Sequence, residues 1–373
     1  MATYDLRTGY PDTQRLVPHR ILSDITSELL LNDRGTQYSG TLVGPVAERE
    51  ALADFITQVA HDSAHPDHLL MASGALEAIN IVTRTVAQPG DVLVVEDPTF
   101  FFVLRLFHAA HLTIETVPMT PDGLDLAALE ALAQRYGERL AALYTIPSFH
   151  NPLGVTTQPA HRQALVRLAQ QYDFTVIEDA TYQWLHFDEA APPLCSHYDD
   201  SDEHIVTVGT FSKIIMPAIR QGFIWSTPEQ IKRFSAFKDF TVSTLNAGLL
   251  GEFIRRGHIH TQLENARLLY KEGRDNLCAA LQAHLPDWVQ WSRPDGGFFV
   301  WLTLPEQMQA EKLLEIAKTR DLDFMPGHAA FAKEVPDRYV RLSFTMCHGD
   351  DLHAAAQRLA DCLNVLRDRL PLA

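Results

Sequence analysis

Short apolar runs alternate with longer amphipathic ones through the middle of the chain, and the two kinds have different periods. Residues 91–96 (Asp91-Val92-Leu93-Val94-Val95-Glu96) hold an uninterrupted apolar stretch and read as a strand buried on both faces. Runs 112–118, 140–146, 174–178 and 205–209 are of the same kind. Helical patterns lie between them at 74–86, 124–136 and 159–172. This alternation predicts an α/β fold: a mostly parallel sheet covered on both faces, with a site in the loops at the strand C-termini. From about Gly248 to Leu285 the pattern becomes long helices. Strands at 288–292, 298–304 and 339–344 and a closing helix at 350–370 then predict a smaller α+β domain. Residues up to about Thr36 carry little strand pattern and are expected to pack with it. The expected division is a large domain over 38–255 and a small one from 1–37 and 256–373.

Composition narrows the function without naming it. At 373 residues, 46% hydrophobic and 21% charged, the chain reads as an ordinary soluble globular protein. A net charge of -16 argues against nucleic acid or anionic membranes as main partners. The four cysteines are scattered without metal-ligand spacing, and the 17 histidines form no HExxH pair, so no metal is expected. The N-terminal residues lack an apolar leader and no stretch is long enough to span a bilayer, so a cytoplasmic location is expected.

The chemistry concentrates at the ends of the expected strands. In Thr207–Arg220, a strand ends in a small-residue turn that delivers Lys213, with Arg220 seven positions later. Lys213 is the first lysine of the chain, and those that follow (Lys232, Lys238, Lys271, Lys312, Lys318, Lys333) mostly sit in polar, helical contexts suited to a solvated face. An amine held in a partly desolvated turn can be a nucleophile toward carbonyls, and Thr210, Ser212 and Arg220 would suit a phosphate beside it. The set points to a Schiff base with pyridoxal 5'-phosphate, although Lys213 by itself could be a surface residue at a strand end.

Ser73-Gly74-Ala75 opens a helix and could bind an anion or serve as a routine cap. Asp179, after the strand at 174–178, could pair with a ring nitrogen or cap a helix, and Tyr182 could reach a phenolic oxygen. Asn151 lies in the turn Asn151-Pro152-Leu153-Gly154, where its amide could bond the same oxygen. Phe100 could stack on a planar ring or fill the core. Arg341 stands inside an apolar strand, where its charge needs either a substrate carboxylate or an internal acid.

Read in order, these motifs resemble the fold type I, class I/II aminotransferases. The likeness is nearest to the 2-aminoadipate and kynurenine branch and to the aminotransferase-like domain of winged-helix regulators. It runs from Gly9-Tyr10-Pro11-Asp12 to the final helix and includes Gly296–Trp301 and Met325-Pro326-Gly327. The resemblance implies a large domain with a seven-stranded-type sheet and a smaller α+β domain. It implies Lys213 as Schiff-base lysine, Asp179 as ring-nitrogen partner, and Asn151 and Tyr182 at the phenolic oxygen. Phe100 would lie on the ring face, and Ser73, Gly74, Ala75, Thr210, Ser212 and Arg220 around the phosphate. Arg341 would take the substrate carboxylate with Gly9 near it, and Tyr10 and Asn151 would line the substrate site. The segment Gln37-Tyr38-Ser39-Gly40 resembles one that sends a tyrosine to the neighbouring subunit's phosphate, which implies a homodimer.

The expected activity is transfer of an amino group from an L-amino acid to a 2-oxo acid. Other pyridoxal phosphate chemistry (β-elimination, oxidation or cyclising synthesis) and a non-catalytic ligand sensor are the alternatives. Phe100 and Leu76 depart from the tyrosine and glutamine frequent in the family. The early Gly-x-Pro-Asp motif leaves no winged-helix head to be expected. Tyr10, Arg15, Phe102, Phe149 and His150 are expected near the substrate side chain, suiting one that is medium to large, aromatic or acid-ended.

Overall fold

A computed structural model of the chain describes residues 4–60, 62–201 and 203–369. Its frame is an eight-stranded sheet in the order Leu69–Ala72, Gly222–Trp225, Ile205–Thr210, Thr175–Asp179, Leu140–Thr145, Val92–Asp97, Thr113–Thr120 and Gly123–Leu124. The last is a two-residue strand hairpinned onto its neighbour, which leaves seven longer strands. Gly222–Trp225 runs antiparallel to both neighbours, and the joins from Ile205–Thr210 to Thr113–Thr120 are parallel.

The uninterrupted apolar runs are explained by burial on both faces. Along Val92–Asp97, Val92 and Val94 enter one hydrophobic cluster while Leu93 and Val95 enter the other. Each such fully buried side chain contributes roughly 1.5–3 kcal/mol relative to exposure. Helix Ala75–Val86 packs against Ile205–Thr210 and Gly222–Trp225, and helices Leu126–Tyr136 and Pro159–Tyr172 pack together on the smaller cluster.

A second, antiparallel sheet has four strands in the order Gln290–Trp291, Phe299–Thr303, Tyr339–Ser343, Met325–Pro326. Helix Ala310–Lys318 packs beside it, and Asp350–Asp368 packs against that helix and against His258–His284. The expected long helical stretch is broken into Thr244–Arg255 and His258–His284 by Gly257, whose φ of 75° lies in the left-handed region. The N-terminal strand Tyr4–Asp5 pairs in parallel with Leu322–Asp323, whereas helix His19–Leu31 lies against Thr244–Arg255. No helix among the described residues is long and apolar enough to cross a membrane.

Candidate active site

Asp179 is the last residue of its strand and is almost fully buried. The adjacent parallel strand supplies Tyr144, whose hydroxyl donates to Asp179 Oδ2 at 2.7 Å, and the Thr181 N–H donates to Oδ1 at 3.0 Å. A turn rather than an α-helix follows, so Asp179 caps no helix. Burial pushes its carboxyl above the usual range, opposed by the hydrogen bonds from Thr181 and Tyr144. Such a carboxylate is poised to gain a cationic partner.

The next strand, Ile205–Thr210, runs into the turn that holds Lys213. Its Nζ donates to the Gly9 carbonyl at 2.7 Å and lies 4.7 Å from the centroid of the Tyr10 ring. Tyr270 donates to the Lys213 carbonyl at 2.6 Å and fixes the backbone. Burial, followed by the positive charge of Arg341, lowers the Lys213 amine to about 8, while Asp179 opposes the shift. A minor share of the amine is therefore unprotonated near neutral pH, far more than for an ordinary lysine.

Arg220 and Gly74 meet on one side of Lys213. Arg220 Nη2 donates to the Ser73 carbonyl, and a Cβ added at Gly74 would come within 2.6 Å of that nitrogen. A Cβ at Gly222 would likewise come within 2.8 Å of the Gly74 Cα, so the segments around Gly74 and Arg220–Gly222 close together only because these residues are glycines. Thr210 Oγ1 lies 3.0 Å from Ser212 Oγ, and both residues are buried. The guanidinium, the two hydroxyls and the N-terminus of helix Ala75–Val86 form a cup suited to a phosphate.

Arg341 lies on the other side, in the strand Tyr339–Ser343, and only 5% of it is exposed. Nη1 donates to Asn151 Oδ1 at 3.2 Å and Nη2 to the Arg7 carbonyl at 3.0 Å. The guanidinium carbon lies 4.1 Å from the Phe299 ring centroid, and Nε has no hydrogen-bond partner among the described residues. Burial depresses the group to about 10, which leaves it charged at neutral pH. Among the described residues its partners are neutral, and it lines the cavity, where it can meet an incoming carboxylate.

One cavity of about 680 Å³ joins these parts. Of the residues expected in the site, Gly9, Tyr10, Ala75, Phe100, Asn151, Asp179, Tyr182, Thr210, Ser212, Lys213, Arg220 and Arg341 line it. Ser73 and Gly74 stand just behind the wall, in contact with Arg220. Tyr38 is 78% exposed and does not line the cavity of its own chain. Phe102 lines the wall as expected, but Arg15, Phe149 and His150 do not. Arg15 pairs with Glu272 at 2.9 Å, and Phe149 packs beneath Gly296. His150 is fully buried against Glu96 at 3.0 Å. Sequence reading passed over Arg7, Phe101, Phe299, Met325 and His328, which line the wall, and Tyr144 behind Asp179. Phe299 and Met325 stand in the Gly-Gly-Phe-Phe and Met-Pro-Gly motifs, which were signals of position; Tyr144 gave none.

Comparison with known proteins decides the family. The sequence profile described as Aminotransferase class I and II matches residues 5–359. The chain belongs to the class I and II aminotransferases. It is 31% identical to aromatic-amino-acid aminotransferase 1 of Thermococcus litoralis, over 93% of this chain and 84% of the relative. The solved kynurenine aminotransferase of Pyrococcus horikoshii, in complex with PMP, superposes with a TM-score of 0.90 at 29% identity, over 96% of this chain and 90% of that one. The α-aminoadipate aminotransferase of Thermus thermophilus, complexed with N-(5'-phosphopyridoxyl)-L-leucine, gives 0.89 at 28% identity, over 97% and 92%. The aminotransferase described here is thus a pyridoxal 5'-phosphate-dependent transaminase of fold type I. Its residues suit that cofactor: the glycine-lined cup suits the phosphate, Asp179 a protonated ring nitrogen, and Lys213 the aldehyde.

Proposed function

We propose that Lys213, Asp179 and Arg341 are the working groups of this aminotransferase. The observation that carries the reading is Arg341, a buried cation held by neutral acceptors in the same cavity as Lys213 and Asp179. The cofactor, when bound, supplies an aldehyde that takes up the amino group and a ring that accepts the electron density released at Cα. Asp179, oriented by Tyr144 and Thr181, keeps a proton on the ring nitrogen. Asn151 and Tyr182 are assigned to the phenolic oxygen, with burial holding the Tyr182 hydroxyl well above the usual phenol range and so protonated. Phe100 covers a ring face. Ser73, Gly74, Ala75, Thr210, Ser212 and Arg220 hold the phosphate. Arg341 binds the substrate α-carboxylate beside Gly9, and Lys213 Nζ carries the proton that leaves or returns to Cα.

We assign the substrate a medium-to-large side chain, aromatic or acid-ended. Tyr10, Phe101, Phe102 and Met325 make the remaining wall mainly apolar, with Arg7, Thr8, His328 and Glu311 as polar groups. Specificity constants across a panel of amino donors test this: they should rise from glycine and alanine toward phenylalanine, tyrosine or 2-aminoadipate. A rise in the opposite direction would reject the assignment.

The unit we propose is a cytoplasmic homodimer in which Tyr38 reaches the neighbouring phosphate, with the domain division at 38–255 against 1–37 and 256–373. Exposure of Tyr38 and Phe240 supports the dimer, and the four free, buried cysteines support a reducing compartment. The partners are amino acids and 2-oxo acids, without nucleic acid or membrane, in keeping with the charge of -16.

A further inference from the structure

Lys238 was expected on a solvated face, yet only 4% of it is exposed. It follows the helix Pro228–Ala236, and its Nζ donates to the carbonyl of Met71. Met71 belongs to the strand Leu69–Ala72, which leads directly into Ser73-Gly74. Burial lowers the Lys238 amine to about 8, and the Glu77 carboxylate acts on it in the opposite sense. Lys238 is therefore mostly charged at neutral pH, and it and Glu77 hold the same strand end two residues apart, Lys238 at the Met71 carbonyl and Glu77 at the Ser73 N–H.

Glu77 lies in the first turn of helix Ala75–Val86 and accepts a hydrogen bond from the Ser73 N–H. That creates a conflict. A helix N-terminus favours an anion, but here a carboxylate already occupies one N–H beside the cup that is to receive a phosphate. Two anions so close oppose each other in a partly desolvated site, and a fixed cation is needed to offset the first. Lys238 is a lysine buried behind this turn, outside the cavity wall, and has no part in the proposed chemistry.

We propose that Lys238 is a positioning residue for cofactor binding: its charge offsets Glu77 and its hydrogen bond pins Met71, so that the Ser73–Ala75 turn accepts a phosphate. The inference rests on the assignment of Ser73, Gly74, Ala75 and Arg220 to the cofactor phosphate.

The test is the dissociation constant of pyridoxal 5'-phosphate, titrated into cofactor-free protein and read by tryptophan fluorescence, with thermal melts alongside. Lys238→Met is expected to weaken binding by about tenfold or more, as for loss of a buried compensating charge. Lys238→Arg should largely retain binding. Adding Glu77→Gln to Lys238→Met should recover most of the loss, because the uncompensated carboxylate is gone. A Lys238→Met loss that Glu77→Gln leaves untouched means a merely structural lysine and overturns the proposal, as does unchanged binding. If Lys238→Met does not fold, Glu77→Gln alone decides: tighter binding supports the proposal, and equal or weaker binding overturns it. Arg220→Ala tests the premise separately. It should weaken binding in the otherwise natural chain, and if it does not, the phosphate lies elsewhere and the inference falls with it.

Discussion

Arg341 and Asn151 meet across the two sheets: Nη1 donates to Oδ1 at 3.2 Å although the residues are 190 positions apart. One comes from the central region of the small antiparallel sheet, the other from the loop after Leu140–Thr145 in the large sheet. The contact joins the residue assigned to the substrate carboxylate to the residue assigned to the cofactor's phenolic oxygen. It fixes the guanidinium without neutralising it.

Arg341→Ala should therefore weaken amino acids and 2-oxo acids alike, while amines lacking a carboxylate lose much less. Removing one partner of a buried two-point charge contact costs roughly 2–5 kcal/mol. Specificity constants for an amino acid and its decarboxylated amine measure the difference, and equal losses would mean that Arg341 only braces Asn151.

Asp179→Asn should leave the melting profile close to that of the natural chain but slow the half-reaction by orders of magnitude. Each tenfold loss corresponds to about 1.4 kcal/mol of barrier. Tyr144→Phe should have a smaller effect in the same direction, because it removes one hydrogen bond to the carboxylate, worth roughly 1.5–3 kcal/mol. Single-turnover kinetics read both, and a near-normal rate in Asp179→Asn would reduce the residue to a turn former.

The Lys213 amine, at about 8 against its ordinary 10.5, should be reactive at unusually low pH. In cofactor-free protein, trinitrobenzenesulfonate labelling of the Lys213 peptide should rise with pH to a midpoint near 8. The same depression has a stability consequence. Between pH 8 and 10.5 the unfolded chain binds more protons at this position, so the contribution of Lys213 to stability rises through that window and is lost as pH falls through 8. A labelling midpoint near 10.5 would show that the amine is not desolvated.

Two inactive variants, Tyr38→Ala and Lys213→Ala, should regain part of their activity when mixed under conditions of subunit exchange. Mixed dimers would contain one site with both natural residues. Proven exchange without regain would assign Tyr38 to its own subunit's site.

The parts of the site that were legible in the sequence are charged or small residues in unusual surroundings. Lys213 in a small-residue turn, Asp179 at a strand end and Arg341 in an apolar strand each break a local pattern, and they converge in the structure. Tyr144 breaks none, since an aromatic residue belongs in a strand. Gly222–Trp225 is only four residues long and begins two positions after Arg220, so it showed no period. Helix Val46–Ala60 was missed because polar residues dilute its apolar face, and His19–Leu31 because it stands apart from the strand–helix alternation; both pack against Thr244–Arg255. Arg15, His150 and Lys238 were misjudged for one reason: sequence neighbourhood does not reveal a distant partner such as Glu272, Glu96 or the Met71 carbonyl.

The central claim is that Lys213, and no other lysine, carries the cofactor. Borohydride reduction of the holoenzyme followed by peptide mapping tests it most directly. The account predicts a phosphopyridoxyl group on the Lys213 peptide alone, absent from Lys213→Ala reduced in the same way. A label on another lysine, Lys238 included, or a reducible link that survives in Lys213→Ala, would contradict it.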